Sequence, residues 1–241
     1  MIAEKSEYKA VVFDLFTTLT SLSHLKDAPG RNSHEILNVP RGAWYDALFD
    51  LSRDRLVGRI TDPVEIIRDV ARKIDPAVSE HRIRETADER RIRFAWCLAH
   101  PPAGVVASLR AIRKEGFRTA LISNADVIEA EGWPGTELAS CFDTAVFSCD
   151  VGYMKPDPEI FRICLDRLNL PANACLYVGD GGNQELPAAA EAGMTSVLTS
   201  QFLKDIWPEK VKEREKTVRH HIRDLNEILP LLDRLSGKPA V

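Results

Sequence analysis

The chain has no apolar stretch near the roughly 20 residues that a bilayer-spanning helix needs. Its first residues, "MIAEKSEYK", are polar and acidic, unlike the basic-then-apolar pattern of a secretory signal. Neither a membrane location nor a leader is expected. Charge of one sign is nowhere concentrated: 32 basic and 36 acidic residues are spread along the sequence, for a formal net charge of −4. Without a dense basic block, no nucleic-acid partner is expected. The five cysteines, Cys97, Cys141, Cys149, Cys164 and Cys175, form no C-x-x-C pair and no metal-ligand spacing, and their number is odd. That predicts reduced, mostly buried thiols and a cytoplasmic protein. Repeats and low-complexity segments are absent. What remains, 241 residues at 44% hydrophobic and 28% charged, suits a soluble globular protein with one substantial core and a smaller module.

Short apolar runs bounded by turn residues read as buried parallel strands at 10–14 "AVVFD", 119–123 "TALIS", 175–180 "CLYVGD" and 195–199 "TSVLT", with a weaker run at 144–148 "TAVFS". Helical patterns lie between them. From Pro102 to Lys114, Val105, Val106, Leu109 and Ile112 fall at helical spacing, and the pattern stops before Gly116. Asp157-Pro158 reads as an N-cap with proline at the first helical position, ahead of Ile160, Phe161, Cys164, Leu165 and Leu168 on one face. The alanine-rich stretch from Asn183 to Ala192 ends at Gly193, a good C-terminal stop. This alternation predicts an α/β fold: a doubly wound parallel sheet, Rossmann-like, with right-handed crossovers.

Residues 21–98 break the rhythm with helices and no strands. Arg41 to Val57 carries Trp44, Leu48 and Leu51 on one stripe, Asp62-Pro63-Val64-Glu65 looks like a capping box, and 79–98 is a long charged helix. The expected organisation is a core of 1–20 and 99–241 with a small all-helical module, 21–98, over the sheet. The tail should hold one amphipathic helix, "IRDLNEILPLLDRL", and the His220-His221 pair reads as a solvated turn rather than a metal site.

In an open parallel sheet, ligands bind outside the carboxyl ends of the strands. Three predicted strands end there in polar residues: Asp14, Ser123-Asn124 and Asp180. Lys155, in the loop "YMKPDPEIF" before a helix, is placed to reach the same edge. Each has an ordinary reading when alone. Asp14 could cap a turn, Ser123 could bond the next loop, Lys155 could be a solvated surface lysine, and Glu185 could be a first-turn acid.

Taken together, the set resembles the haloacid dehalogenase superfamily in expected order over nearly the whole chain. Its first motif, a strand followed by D-x-D-G-T, is here Asp14-Leu15-Phe16-Thr17-Thr18. The second, a strand ending in Ser or Thr, is "ALISN" with Ser123; the third, a lysine before a helix, is Lys155; the fourth, G-D followed by another acid, is "VGDGGNQE" with Asp180 and Glu185. The resemblance implies that 21–98 is a helical cap of the family's first type. It also implies that Asp14 is a nucleophile, with Thr18, Ser123 and Lys155 as further catalytic residues. Phe16 and Asn124 would face a small anionic substrate, and Asp14, Asp180 and Glu185 would hold Mg²⁺. In physical terms, Lys155 keeps Asp14 anionic and neutralises bound charge, while Ser123 and the backbone N–H groups after Asp14 hold substrate oxygens.

The sequence departs from the family pattern at Phe16, where the phosphatases carry the aspartate that protonates the leaving alcohol; Thr17 also replaces the motif glycine. General acid catalysis is typically worth about 10²–10⁴ in rate. The 2-haloacid dehalogenases have an aromatic residue at that position and need no leaving-group proton, but they replace the glycine-acid motif that Asp180 and Glu185 preserve here. The expectation is an Mg²⁺-dependent hydrolase of a small phosphorylated metabolite, acting on a phosphate with a weakly basic leaving group. Dehalogenation, or a weakly catalytic member that binds a ligand or protein, is the alternative. Arg41, Arg53, Arg55 and Arg59 are candidates for gripping a substrate anion without being assigned that part. Nothing marks an oligomer interface.

Overall fold

In the computed structural model, which describes residues 8–21 and 25–237, all five expected strands form. They are β1 (Ala10–Phe13), β2 (Arg118–Ser123), β3 (Thr144–Phe147), β4 (Cys175–Gly179) and β5 (Thr195–Thr199), joined by a two-residue edge strand, β6 (His221–Ile222). Most of the polar N-terminal stretch, residues 1–7, lies outside the described residues. Every pairing is parallel and the order is β3-β2-β1-β4-β5-β6. The chain therefore builds outward from β1 to β3 on one side, then returns beside β1 and builds the other way. The reversal between β1 and β4 is the topological switch point, where such sheets open a crevice at their carboxyl ends.

The β-branched and aliphatic strand residues explain the burial. Alternate side chains point to opposite faces, and both faces are covered. Val11, Phe13, Leu121, Leu176, Val178 and Val197 pack on one side with Leu109 and Ile112 of a helix at Val105–Lys114 and Ile228, Leu231 and Leu232 of another at Ile228–Leu235. On the other face, Ala10, Val12, Ala120, Ile122 and Leu198 pack with Ile160, Phe161, Cys164 and Leu168 of the helix Pro158–Leu168, and with Leu186 and Ala189 of Glu185–Glu191. Fully burying one such side chain is worth about 1.5–3 kcal/mol.

Numbered along the chain, the helices before β2 are α1 (Ser33–Leu37), α2 (Arg41–Asp50), α3 (Ser52–Leu56), α4 (Pro63–Ile74), α5 (Glu80–Ala99) and α6 (Val105–Lys114). The first five form the helical layer between β1 and β2. Asp62 caps α4 by accepting from the Val64 and Glu65 N–H groups at 2.7 and 3.1 Å. Glu65 turns instead to Arg68, so the capping is one-sided. Trp44, Ile66, Ile67, Val70, Ile83 and Phe94 make a separate core for this layer, which meets the sheet domain at Ile128 and Phe16.

After β2 come α7 (Val127–Ala130), α8 (Ser148–Val151), α9 (Pro158–Leu168), α10 (Glu185–Glu191), α11 (Leu203–Ile206), α12 (Pro208–Glu215) and α13 (Ile228–Leu235). Asp157 caps α9 through the Glu159 N–H at 3.0 Å, with Pro158 at its first position, as the sequence predicts. The reading of His221 in a solvated turn is corrected. It lies in β6, partly buried, with Nε2 2.8 Å from Ser200 Oγ and Nδ1 2.8 Å from Glu215 Oε1.

Candidate active site

Asp14 follows directly on β1, where its N–H donates to the Val178 carbonyl at 3.0 Å, continuing the ladder to β4. That bond brings the side chain out at the switch point, beside the residue that follows β4, Asp180. The turn after Asp14 is closed by a Thr17 N–H to Thr20 carbonyl bond at 2.6 Å. Thr17 adopts φ 69°, a left-handed conformation suited to glycine, so the turn persists with a β-branched residue in the motif's glycine position.

Lys155 is 1% exposed, which excludes the solvated-surface reading. Its Nζ donates to Asp14 Oδ1 at 2.5 Å, Glu185 Oε2 at 2.6 Å, the Ile122 carbonyl at 3.0 Å and the Tyr177 hydroxyl at 3.0 Å. Tyr177 in turn donates to Glu185 Oε2 at 2.8 Å. The backbone of Lys155 is held by Asn124, whose Nδ2 donates to its carbonyl at 2.9 Å and whose Oδ1 accepts its N–H at 2.8 Å. Expected from the sequence to face substrate, Asn124 here anchors the lysine's main chain.

The fourth motif wraps around the same centre. Glu185 Oε1 accepts the Gly181 N–H at 2.9 Å, and Asp180 Oδ1 accepts the Gly182 N–H at 2.9 Å. Gly179 makes that approach possible, because a Cβ there would stand 2.3 Å from Glu185 Oε1. Asp14, Asp180 and Glu185 can each offer an oxygen within 4.8 Å of the others. That donor set of carboxylates suits a hard divalent cation. Two buried hydroxyls beside the centre in sequence, Thr18 Oγ1 and Ser123 Oγ, have no partner, as a site that expects oxygens from outside would leave them.

Burial among other acids moves the protonation of Asp14 and Asp180. Burial pushes the Asp14 carboxyl up, Lys155 pulls it down, and Glu185 and Asp180 push it up again, leaving it at about 7. Asp180 rises to about 6, from burial and then from Glu185. Burial opposes the charge on Lys155, but Asp14 and Glu185 outweigh it and hold the ammonium above its ordinary range. Burial, followed by Glu185 and Asp14, keeps Tyr177 a neutral donor.

Phe16, the residue in place of the acid, is partly buried and meets Phe94 of α5 edge-on, with ring centroids 5.7 Å apart. An apolar contact joins the helical layer to the turn that follows Asp14. Of the four arginines, Arg41 lies over Tyr45, Arg59 pairs with Asp54 at the surface, and Arg53 lines a cleft within the helical layer. Only Arg55 is buried and turned to the core: its Nη1 donates to Asp126 Oδ2 at 2.6 Å, and Glu129 lies 3.6 Å away. Arg90 joins from α5, 3.4 Å from Glu129 and 5.0 Å from the Phe94 ring centroid.

A buried aspartate, an ammonium and an acid pair thus meet at the switch point of a parallel sheet, beside a helical layer, in a fold of the α/β class. Residues 8–193 match the description of haloacid dehalogenase-like hydrolases, and the chain belongs to that family. It is 25% identical over 237 residues to (S)-2-haloacid dehalogenase 1 of Pseudomonas sp. (strain CBS-3), covering 95% of this chain and 98% of that one. It is 29% identical over 141 residues to the glyceraldehyde 3-phosphate phosphatase of Methanothermobacter thermautotrophicus, covering 57% of this chain and 62% of that one. Over such shorter matches the chain spans about half to three fifths of the relatives' own length. Among solved structures, the HAD-hydrolase YfnB of Bacillus subtilis superposes with a TM-score of 0.70 at 17% identity, covering 94% and 99% of the two chains.

Two residues of this centre escape a reading by sequence. Tyr177 looks like an ordinary strand residue, and only the packing shows its hydroxyl between Lys155 and Glu185. Arg214 comes from α12, remote from every motif: its Nη1 donates to the Asp180 carbonyl at 2.5 Å and to Oδ2 at 3.1 Å.

Proposed function

We propose that the chain is a hydrolase of small phosphorylated metabolites that works with Mg²⁺ and uses Asp14 as its nucleophile, with residues 21–98 as the cap over the site. The observation that carries this reading is the approach of Asp14, Asp180 and Glu185 to within 4.8 Å around one buried lysine. Those three carboxylates would hold the cation, which supplies charge neutralisation for a phosphoryl group and orients it.

The chain's own residues do the rest. Lys155 binds Asp14 Oδ1, which leaves Oδ2 as the attacking oxygen and keeps the side chain in one rotamer. Asn124 fixes the lysine's backbone, and Tyr177 with Glu185 fixes its Nζ. The partnerless Ser123 and Thr18 hydroxyls are available to the transferring group's oxygens. Phe16 offers no proton. The substrate class that fits is a phosphate whose leaving group departs as a stable anion, such as an acyl phosphate.

Activity against acyl phosphates and phosphate esters, with Mg²⁺ and with excess EDTA, tests the reading. Turnover should require the metal and should vanish in Asp14→Asn; full activity in EDTA would exclude the metal-assisted route. One observation favours a second reading. The Phe16–Phe94 contact gives the nucleophile an apolar neighbour suited to a carbon electrophile, and halide release from a small 2-haloacid in EDTA would identify it.

A further inference from the structure

Three buried carboxylates gather at the switch point, and the motifs bring them one cation, Lys155. The structure supplies a second from outside the family match. Arg214 lies beyond residues 8–193, on α12, and reaches back to bond both the carbonyl and Oδ2 of Asp180. Its placement is built rather than incidental. The guanidinium's stem lies along the fourth-motif loop so closely that a Cβ on Gly181 would come 3.0 Å from its Cδ, and Gly181 itself has φ +84°. The next residue, Glu215, ties the end of α12 to His221 of β6 at 2.8 Å. The side chain of Arg214 is 19% exposed, so its charge is only partly screened by solvent.

We infer that Arg214 is an internal cation that competes with a divalent metal for Asp180 and so couples metal binding to the arrival of an anionic substrate. The reasoning rests on the reading of these carboxylates as a metal site and extends it. With Lys155 and Arg214 both in place, the three carboxylates, when all ionised, carry one uncompensated negative charge, and a bare divalent ion would over-neutralise the centre. A metal held by Asp180 would also meet a carboxylate whose Oδ2 already accepts a guanidinium bond. An anionic substrate group removes the excess positive charge, so metal and anion should each tighten the other. Arg214 is thus a positioning and affinity-setting residue, without contact to reacting atoms.

Mn²⁺, which takes the same oxygen ligands and can be followed by its own electron paramagnetic signal, is the probe. Binding of Mn²⁺ alone is measured in the full chain, in Arg214→Met and in Arg214→Lys, each checked for native fold by circular dichroism. Arg214→Met should bind Mn²⁺ about tenfold more tightly or better than the wild type, and Arg214→Lys, which keeps the charge, should stay near the wild type. Saturating inorganic phosphate should tighten Mn²⁺ more in the wild type than in Arg214→Met. Equal affinity in the wild type and Arg214→Met would overturn the inference while leaving the metal reading intact. Absence of Mn²⁺ binding in both proteins would remove the metal reading and this inference with it. Phosphate esters left untouched by an enzyme that still shows the Arg214→Met effect would count only against the substrate class.

Discussion

At the scale of single residues, the centre is a problem in placing charge where water is scarce. Asp14 is 7% exposed, yet the proposed role as nucleophile needs it as an anion, and the bond from Lys155 favours that form. Two substitutions in the turn after Asp14 separate chemistry from backbone. Phe16→Asp places a proton donor two residues after the proposed nucleophile and should raise phosphomonoester turnover by about tenfold or more, against a typical general-acid contribution of about 10²–10⁴. No gain with monoesters would show that leaving-group protonation is not limiting. Thr17 holds a left-handed conformation at φ 69° that a β-branched residue adopts at a cost of about 1–2 kcal/mol. Thr17→Gly should relieve part of it and stabilise the fold by about 1 kcal/mol in urea unfolding, and a lower midpoint would mean that the buried threonine's packing outweighs the strain. Phe16 and Thr17 were both legible as departures in the sequence. That the turn survives them was not, because φ depends on the closing bond to Thr20.

At the scale of elements, the helical layer and the sheet domain are joined by buried charge as well as by apolar contact. Arg55 of α3 reaches Asp126, which also caps α7 by accepting the Glu129 N–H at 3.1 Å, and Arg90 of α5 reaches Glu129. Asp126 is fully buried. Arg55→Met leaves it with its cap bond but without its ion pair, with Arg90 as the remaining nearby cation, and removing one partner of a buried pair costs about 3–5 kcal/mol. The expected loss is near the lower end, about 3 kcal/mol, by urea unfolding, with part recovered in Arg55→Met/Asp126→Asn. A loss below about 1 kcal/mol would show that water, rather than the pair, stabilises the join. The sequence offered the arginines at 41, 53, 55 and 59 as candidates for gripping an anion without distinguishing them. Only the tertiary approach of α3 to Asp126, the N-cap of α7, decides that one is buried.

At the scale of the whole molecule, the acidic centre links stability to pH. Asp14 stands at about 7 and Asp180 at about 6 in the folded chain, both above their ordinary 3.8. The folded state therefore holds protons more readily than the unfolded one. The stability that these two groups contribute as neutral acids is full below 3.8 and is lost as pH rises through their folded values. In EDTA, the urea midpoint should be lower at about pH 8 than at about pH 5, and Asp14→Asn should flatten the difference. Mg²⁺ added at the higher pH should restore the midpoint, since a ligand that binds only the folded state stabilises it. A midpoint that ignores both pH and Mg²⁺ would mean that Lys155 and Arg214 already balance the centre.

What the sequence determined by itself was local and periodic. The apolar runs of β1 to β5, the Asp157-Pro158 start of α9, the strandless interval between β1 and β2, and the order of Asp14, Ser123, Lys155 and Asp180 all follow from neighbouring residues. The two-residue β6 carries too little periodicity to be read, which is why His221 looked like part of a turn. The tertiary structure alone decided which groups touch. Tyr177 between Lys155 and Glu185, Asn124 on the lysine's backbone, Arg55 on Asp126 and Arg214 on Asp180 are contacts between distant segments. Burial sets their strength, and no spacing along the chain encodes burial.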